Sequence, residues 1–419
     1  MSSMTLSAEL VWRGQIKDKT FSDITWLDTP RTFYLGADCQ SADSLTIGNL
    51  AIYMLAKRLN QAGWKTILLV GGATSMIGDP GGKDDERQLK SRDEIAHNVA
   101  GIKQQVQQLF NGADFTLVDN YDWFKGINFL DFLRDVGKNY SMTELTQRDY
   151  ISERMGEGGS GISYAEFSYT LIQGYDFWHL YKHHGVVLQI GGSDQWGNML
   201  SGVPLIRKKE SVEVQALSMP LVIDKSTGKK FGKSESGAIW LDASKTSPTQ
   251  FYQFWINVDD QGVEDYLKIY TELDQPAIAQ LLAEHTAKPQ ARVAQKALAL
   301  EVTRLVHGPE AAQLAQEVTA YLTGQDSVAG ASDAALLAIR QEVPAVSVAA
   351  DYSIIEALVN TGLAPSNSEA RRLVRGNAIS VNGAKVSREN FESQDFVNGR
   401  LLLRRGKAFK DSALVELGD

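Results

Sequence analysis

A chain of 419 residues, 43% hydrophobic and 22% charged, has room for two or three domains with full cores, and it contains no low-complexity tract or fixed-period repeat. Its one cysteine, Cys39, excludes an intramolecular disulfide framework and fits a reducing cytoplasm, while its short apolar runs predict neither a signal peptide nor a membrane span. The net charge of −9 argues against nucleic-acid binding by the chain as a whole, yet between positions 366 and 410 ten basic residues meet four acidic ones, so a segment of +6 follows a body of −15 and points to a local polyanion contact.

Residues 32–37 read as a short buried strand. Residues 47–62, with Leu50, Met54 and Leu55 among polar neighbours and Gly63 placed to stop them, read as a helix. Residues 65–70 are again apolar and β-rich, ending at Gly71-Gly72. Strand, helix, strand is a unit of parallel sheet, and in open sheets of this kind ligands bind beyond the carboxyl ends of the strands. Gly36-Ala37-Asp38, Gly71-Gly72-Ala73-Thr74 and Gly191-Gly192-Ser193-Asp194 all fall there, the last after a strand at 186–190. Residues 102–164 interrupt the repeat with a helical pattern and a glycine-rich stretch. The chain turns helical from 247 to about 322. Residues 324–350, rich in Ala, Gly, Ser and Val, read as a partly ordered linker, and a small α+β module follows from about 352 to a strand at 400–404.

Glycines at a strand-to-helix turn let backbone N–H groups face an anion, and Gly48 suits close approach by a nucleotide. In Lys230-Phe231-Gly232-Lys233-Ser234, two ammonium groups flank a glycine hinge and suit a departing pyrophosphate; a solvated basic turn with Lys225 and Lys229 is the competing reading. A P-loop is excluded, because Thr227 stands where its first glycine belongs. Tyr169, Gln173 and Asp176 share one helix face and, with Tyr34, suit a small polar ligand carrying a hydroxyl; the alternative is a packed aromatic helix with Asp176 at its wet edge. His179 and His183 have the spacing of a metal pair but no accompanying glutamate or cysteine cluster, so a solvated helix face is the better reading. No side-chain nucleophile arrangement stands out, and Cys39 reads as a loop residue.

Several further segments carry a family resemblance: Gly71-Gly72-Ala73-Thr74 with Ile77-Gly78-Asp79-Pro80, Asn120-Tyr121-Asp122-Trp123, the stretch 132–138, the stretch 188–198, the lysine loop, and 246–257. Near the end, Ala370-Arg371-Arg372-Leu373-Val374 and Ile379-Ser380-Val381-Asn382-Gly383 resemble the S4 RNA-binding module. In this order the segments resemble bacterial-type tyrosyl-tRNA synthetases, class I aminoacyl-tRNA synthetases, over nearly the full length. The resemblance implies an α/β architecture: a Rossmann-like parallel-sheet catalytic domain over 1–225 with a dimer-forming insertion at about 102–164, the lysine loop and a helical anticodon-binding domain over 226–323, a linker at 324–350, and a small S4-like domain over 351–419. It implies a cytoplasmic homodimer that uses L-tyrosine, ATP with Mg2+, and tRNA(Tyr), with no tightly bound cofactor, no resident metal and no membrane partner.

Carried over by motif, Tyr34 and Asp176 contact the phenolic hydroxyl, Asp79, Tyr169 and Gln173 hold the amino group, and Gln195 lies near the reacting centre. Gly36, Asp38, Gly48, Gly192 and Asp194 line the nucleotide together with Lys230, Phe231, Gly232, Lys233 and Ser234. Lys230 and Lys233 stabilise the departing pyrophosphate, assisted by Lys83 and Arg87. Asp259 meets the anticodon, and Arg371, Arg372, Arg404 and Arg405 contact tRNA. One departure matters: the family's His-Ile/Leu-Gly-His signature is here Thr46-Ile47-Gly48-Asn49, after a longer loop, Cys39-Gln40-Ser41. Asn49 keeps a donor for phosphate or ribose, whereas Thr46 offers a single hydroxyl, so a weaker activation step is expected. That change keeps open a synthetase-like RNA-binding protein with impaired activation, and an enzyme activating a different amino acid.

Overall fold

The computed structural model describes residues 4–79, 89–147, 149–234, 237–349, 351–406 and 408–418. The chain divides into two compact units, residues 1–245 with 259–288, and residues 246–258 with 289–419.

The first unit is built on five strands, β1 (Thr32–Ala37), β2 (Lys65–Val70), β3 (Phe115–Asp119), β4 (Leu188–Gly192) and β5 (Gln215–Met219). They lie in the order β3-β2-β1-β4-β5, every pair parallel. Phe33, Tyr34 and Leu35 are buried in succession rather than alternately, as are residues 66–70, because helices cover both faces. The strand order reverses between β1 and β4, so a crevice opens beyond their carboxyl ends, the usual ligand position in such sheets. The helix Ile47–Gln61 begins after Thr46, which is extended (φ −110°, ψ 169°), and buries Leu50, Met54 and Leu55; Gly63 follows it with a positive φ of 90°.

The interruption of the repeat is shorter than the sequence suggested. Residues 92–109 form the crossover helix Arg92–Leu109, and 115–119 are β3, the half-buried edge strand whose threonine and aspartate hid its pattern. The inserted part starts at about 120 and carries short helices, among them Phe129–Asp135 and Met142–Thr146. Two short strands, β6 (Lys233–Ser234) at the end of the lysine loop and β7 (Gly237–Ala238) after it, pair antiparallel.

In the second unit the helices Pro248–Ile256, Val293–His307 and Pro309–Thr323 pack on one another. A second sheet takes the order β10-β9-β11-β12-β8, with β8 (Ala345–Val348), β9 (Ser380–Val381), β10 (Ala384–Lys385), β11 (Arg400–Arg404) and β12 (Ser412–Leu417). The expected linker at 324–350 is thereby corrected. It contains the helix Asp333–Glu342 and β8, which pairs parallel to β12 through Ala345 and Leu414. Ala335, Leu336 and Ile339 pack with Val318, Leu322, Leu402 and Leu414 in one core. Small residues that resemble linker composition serve here to bring a helix close to a sheet.

Candidate functional site

The crevice begins at Tyr34, in the middle of β1. It is 1% exposed, its ring packs against Phe177 at 5.4 Å, and its hydroxyl has no hydrogen-bond partner in the described structure. A buried polar group left unmatched costs about 1–3 kcal/mol, so this hydroxyl marks where a polar ligand atom is favoured. Burial, with the charge of Asp176 adding to it, holds the phenol neutral by pushing its pKa well up.

Asp176 lies on the long helix Tyr164–His184, also fully buried. Its Oδ1 accepts from Trp123 Nε1 at 2.9 Å and its Oδ2 from Asn120 Nδ2 at 3.0 Å. Burial raises its pKa to about 7 although both donors pull it down. Asn120 is itself fixed: its Oδ1 accepts from the Ala73 N–H at 2.7 Å, and its Nδ2 also reaches Thr74 Oγ1 at 3.2 Å. The residues after β2 and after β3 therefore hold the carboxylate from one side. Sequence reasoning gave Asn120 and Trp123 no role. The signal was their place just beyond the carboxyl end of a strand, hidden while β3 was assigned to the insertion.

His179 stacks on Trp123 at 4.3 Å and 18°, and burial together with His183 lowers its pKa to about 4. The expected solvated face is correct for His183, which is exposed, and wrong for His179, a half-buried neutral ring backing the indole. Among the described residues, no group of three or more His, Cys, Asp or Glu is placed to hold a metal ion.

A second polar cluster surrounds Asp79, buried after the Thr74–Ile77 turn of helix. Its Oδ2 accepts from Gln195 Nε2 at 2.5 Å and its Oδ1 from Asn198 Nδ2 at 3.3 Å. Asn198 Oδ1 in turn accepts from Thr170 Oγ1 at 2.8 Å. This gathers one carboxylate and two carboxamides in a hydrogen-bonded cluster, and the carboxylate supplies the negative charge that suits an ammonium group. Asn198 too was missed. Tyr169 is buried and Gln173 half-buried on the helix that carries Asp176.

The side where the sequence leads one to expect a nucleotide is more open. Gly36 is exposed at the end of β1, and Asp38 follows in the loop, its Oδ1 accepting from the Gln40 N–H at 2.9 Å and Ser75 Oγ at 3.3 Å. Gly192 closes β4, and Asp194 just beyond it forms a 3.3 Å ion pair with Lys230, both side chains substantially exposed. The lysine loop rests on the start of the Ile47–Gln61 helix. Gly232 has φ +99°, and a methyl there would sit 2.9 Å from Ile47 Cγ1 and 3.3 Å from the Gly48 nitrogen, so both backbone shape and space require glycine. Ile239 N–H donates to Gly232 O at 3.2 Å and Ile47 N–H to Ile239 O at 3.1 Å, which seats the hairpin.

At the altered signature, the Thr46 N–H and Thr46 Oγ1 lie 3.0 and 2.9 Å from one terminal atom of the Asn49 carboxamide. A backbone N–H can only donate, so that atom is the oxygen and the Asn49 NH2 faces the other way. Lys83 and Arg87 lie outside the described residues, as do the side chains of Lys233 and Ser234.

Of the residues expected to meet RNA, Asp259 accepts from the Gly262 N–H at 2.8 Å. Arg371 pairs with Glu389 at 3.5 Å and Arg372 with Glu369 at 2.6 Å, both arginines exposed. Arg405 reaches Leu363 O and Asp411. Arg404 is corrected: it is 8% exposed and donates to Thr323 O at 2.6 Å, so it ties a strand to the end of a helix.

Residues 28–322 match the family described as tRNA synthetases class I (W and Y), and residues 336–410 match the tyrosine–tRNA ligase SYY-like C-terminal domain. The chain is 41% identical to tyrosine–tRNA ligase 2 of a Bacillus cereus strain, across 99% of this chain and 100% of that protein. It is 42% identical to tyrosine–tRNA ligase of Lactococcus lactis subsp. cremoris, across 96% and 98%. A crystal structure of a C-terminally truncated mitochondrial tyrosyl-tRNA synthetase from Aspergillus nidulans matches with TM-score 0.68 and 30% identity, over 76% of this chain and 94% of that one.

Proposed function

The chain belongs to the class I tRNA synthetases for tryptophan and tyrosine, and within them to the tyrosine–tRNA ligases; from that premise we propose how its crevice performs the reaction. Tyrosine, ATP and tRNA are the substrates. A tyrosine carboxylate oxygen attacks the α-phosphorus, and the bond to the bridging oxygen breaks as pyrophosphate leaves with its electron pair. A ribose hydroxyl at the tRNA 3′ end then attacks the tyrosyl carbonyl, loses its proton, and AMP departs.

The observation that carries the residue assignment is the buried pair Tyr34 and Asp176. The neutral Tyr34 hydroxyl donates to the phenolic oxygen of tyrosine, while that phenol donates to Asp176. Phenylalanine leaves both groups unmatched in a dry pocket, and that unmatched cost is the source of discrimination. Asp79, Tyr169 and Gln173 receive the ammonium end, with Gln195 beside Asp79 near the reacting centre, and place the carboxylate toward the nucleotide. Asp38 and Asp194 hold adenosine, Asp194 at the ribose, with Gly36, Gly48 and Gly192 giving backbone access.

Lys230 and Lys233, with Lys83 and Arg87, neutralise charge on the leaving pyrophosphate. Releasing Lys230 from Asp194 costs little, since exposed pairs are worth about 0–1 kcal/mol, so it is free to follow the phosphates. Mg2+ enters with ATP as part of the substrate. Asn49 donates through its outward NH2 to a phosphate or ribose oxygen. Asp259 and the exposed Arg371, Arg372 and Arg405 serve the tRNA, on an S4-like C-terminal module. Phe129, Leu130, Met142, Met155 and Tyr164, all well exposed on or beside the insertion, support a homodimer through that surface. The single, buried Cys39 suits a reducing cytoplasm. No observation favours the RNA-binding protein without activation.

Exchange of labelled pyrophosphate into ATP tests the assignment, run side by side with tyrosine, phenylalanine and tryptophan. Tyrosine-dependent exchange that Tyr34→Phe and Asp176→Ala selectively weaken supports it. Exchange indifferent to both substitutions refutes it.

A further inference from the structure

Phe231 stands between the glycine and the first lysine of the loop, yet it is 5% exposed. Its ring stacks on Tyr266 at 4.2 Å and 24°, with Tyr270 beyond it at 5.9 Å, and both tyrosines are buried completely. They belong to the helix Val263–Tyr270, which is held at both ends. At its start, Gly262 donates to Asp259, and a methyl on Gly262 would lie 2.5 Å from the Tyr266 ring. At its finish, two buried guanidinium groups collect the carbonyls. Arg58 reaches Lys268 O at 3.1 Å, Ile269 O at 3.2 Å and Thr271 O at 2.7 Å, and Arg13 reaches Lys268 O at 2.7 Å and Leu273 O at 2.8 Å.

Arg58 sits on the helix Ile47–Gln61, the same helix whose first residues meet Gly232. The loop is thus tied to one helix by two routes. Its glycine lies directly on the helix start, and its phenylalanine is fixed through Tyr266 and the short helix to the far end. A third tie, Lys225 to Asp265 at 2.9 Å, links the turn that precedes the loop to the same short helix.

We propose that Tyr266 is a positioning residue for the lysine loop: its stack on Phe231 makes the Val263–Tyr270 helix a strut that sets where Lys230 and Lys233 stand over the nucleotide. The proposal rests on the reading that these lysines act on the leaving pyrophosphate. A strut of this kind matters for the chemical step, where a small misplacement of charge is costly, and leaves the tyrosine pocket untouched.

The test measures single-turnover tyrosyl-adenylate formation and, separately, tyrosine affinity without ATP, on the full-length protein. Tyr266→Leu, which removes the ring, is expected to slow adenylate formation roughly 10- to 100-fold while tyrosine affinity stays within about twofold. Tyr266→Phe keeps the ring and should restore the rate to within about twofold of the parent. In a Lys230→Ala/Lys233→Ala background, Tyr266→Leu should add less than about threefold, since the loop's charges are already gone. An unchanged rate in Tyr266→Leu overturns the proposal, as does an equal loss of tyrosine affinity and rate, which indicates only a damaged core. If Tyr266→Leu gives the full loss in the lysine-free background too, the effect does not pass through the loop. Absence of pyrophosphate exchange in the unaltered protein defeats the catalytic reading itself, a result distinct from all of these.

Discussion

The two ends of the crevice are built on opposite physical terms. At the end proposed for the phenol Tyr34 and Asp176 are almost completely buried, and Trp123, Asn120 and His179 brace the carboxylate by hydrogen bonds and stacking. At the end proposed for the nucleotide Lys230 and Asp194 lie exposed and pair with each other, and the loop is seated by backbone contacts around Gly232 and Ile47 together with the Phe231–Tyr266 stack. Recognition of a fixed ring rewards rigidity and dryness. Expulsion of a multiply charged group rewards charges that can move, held by a frame that cannot.

That contrast is open to direct attack. The largest expected effect is on rate alone: Lys233→Ala should slow adenylate formation roughly 100-fold or more with tyrosine affinity unchanged, measured by rapid quench and equilibrium binding. An equal loss of tyrosine affinity would blur the two ends into one. Next, Asp176→Ala should weaken tyrosine binding by about 1.5–3 kcal/mol, roughly 10- to 150-fold, and leave phenylalanine binding nearly unaltered.

Acidity separates the ends further. The pKa of Asp176, about 7, stands above its ordinary 3.8, so in the folded chain the carboxyl keeps its proton through mildly acidic solution. Its contribution to stability is therefore fullest below about pH 4 and declines as pH rises toward 7, levelling off above. Tyrosine binding runs the other way, because a charged carboxylate is the better acceptor for the phenol. Calorimetric titration should show affinity improving up to about tenfold from pH 6 to 8, with phenylalanine indifferent and Asp176→Asn flat for both. A flat profile for tyrosine in the unaltered protein would place the phenol elsewhere.

Trp123→Phe removes one of the two donors to that carboxylate. It should cost about 0.5–1.5 kcal/mol in tyrosine binding and move the midpoint of the same titration to higher pH. The smallest effect belongs to the exposed pair. Lys230→Gln should change the free energy of unfolding in urea by no more than about 0.5 kcal/mol, although it slows activation.

Much of the first unit was legible. Glycines at strand ends, the apolar runs at 32–37 and 65–70, and the helix that Gly63 stops are local signals, and the structure places them in one parallel sheet. What escaped depended on neighbours far away in the chain. Asn120 and Trp123 gain meaning only when β3 brings them beside Asp176. Helix Asp333–Glu342 looks like a linker until its small residues meet a sheet formed seventy or so positions later. Arg404 was the avoidable miss: in a strand, alternate residues share a side, so it lies on the same side as Leu402, which packs in a core. His179 could not be placed from spacing, since only the fold shows that an indole covers it.

One consequence follows from how Thr46 grips Asn49. A hydroxyl and a carboxamide locked together neither gain nor release protons anywhere in the physiological range, unlike the two imidazoles that the family's usual signature would put at these positions. The entrance of that helix is consequently silent to acidity, and an acid–base profile of amino-acid binding is not overwritten by it. With no ionisable side chain at these two positions, the proposed nucleotide cradle should vary less with surrounding pH than the proposed tyrosine pocket does.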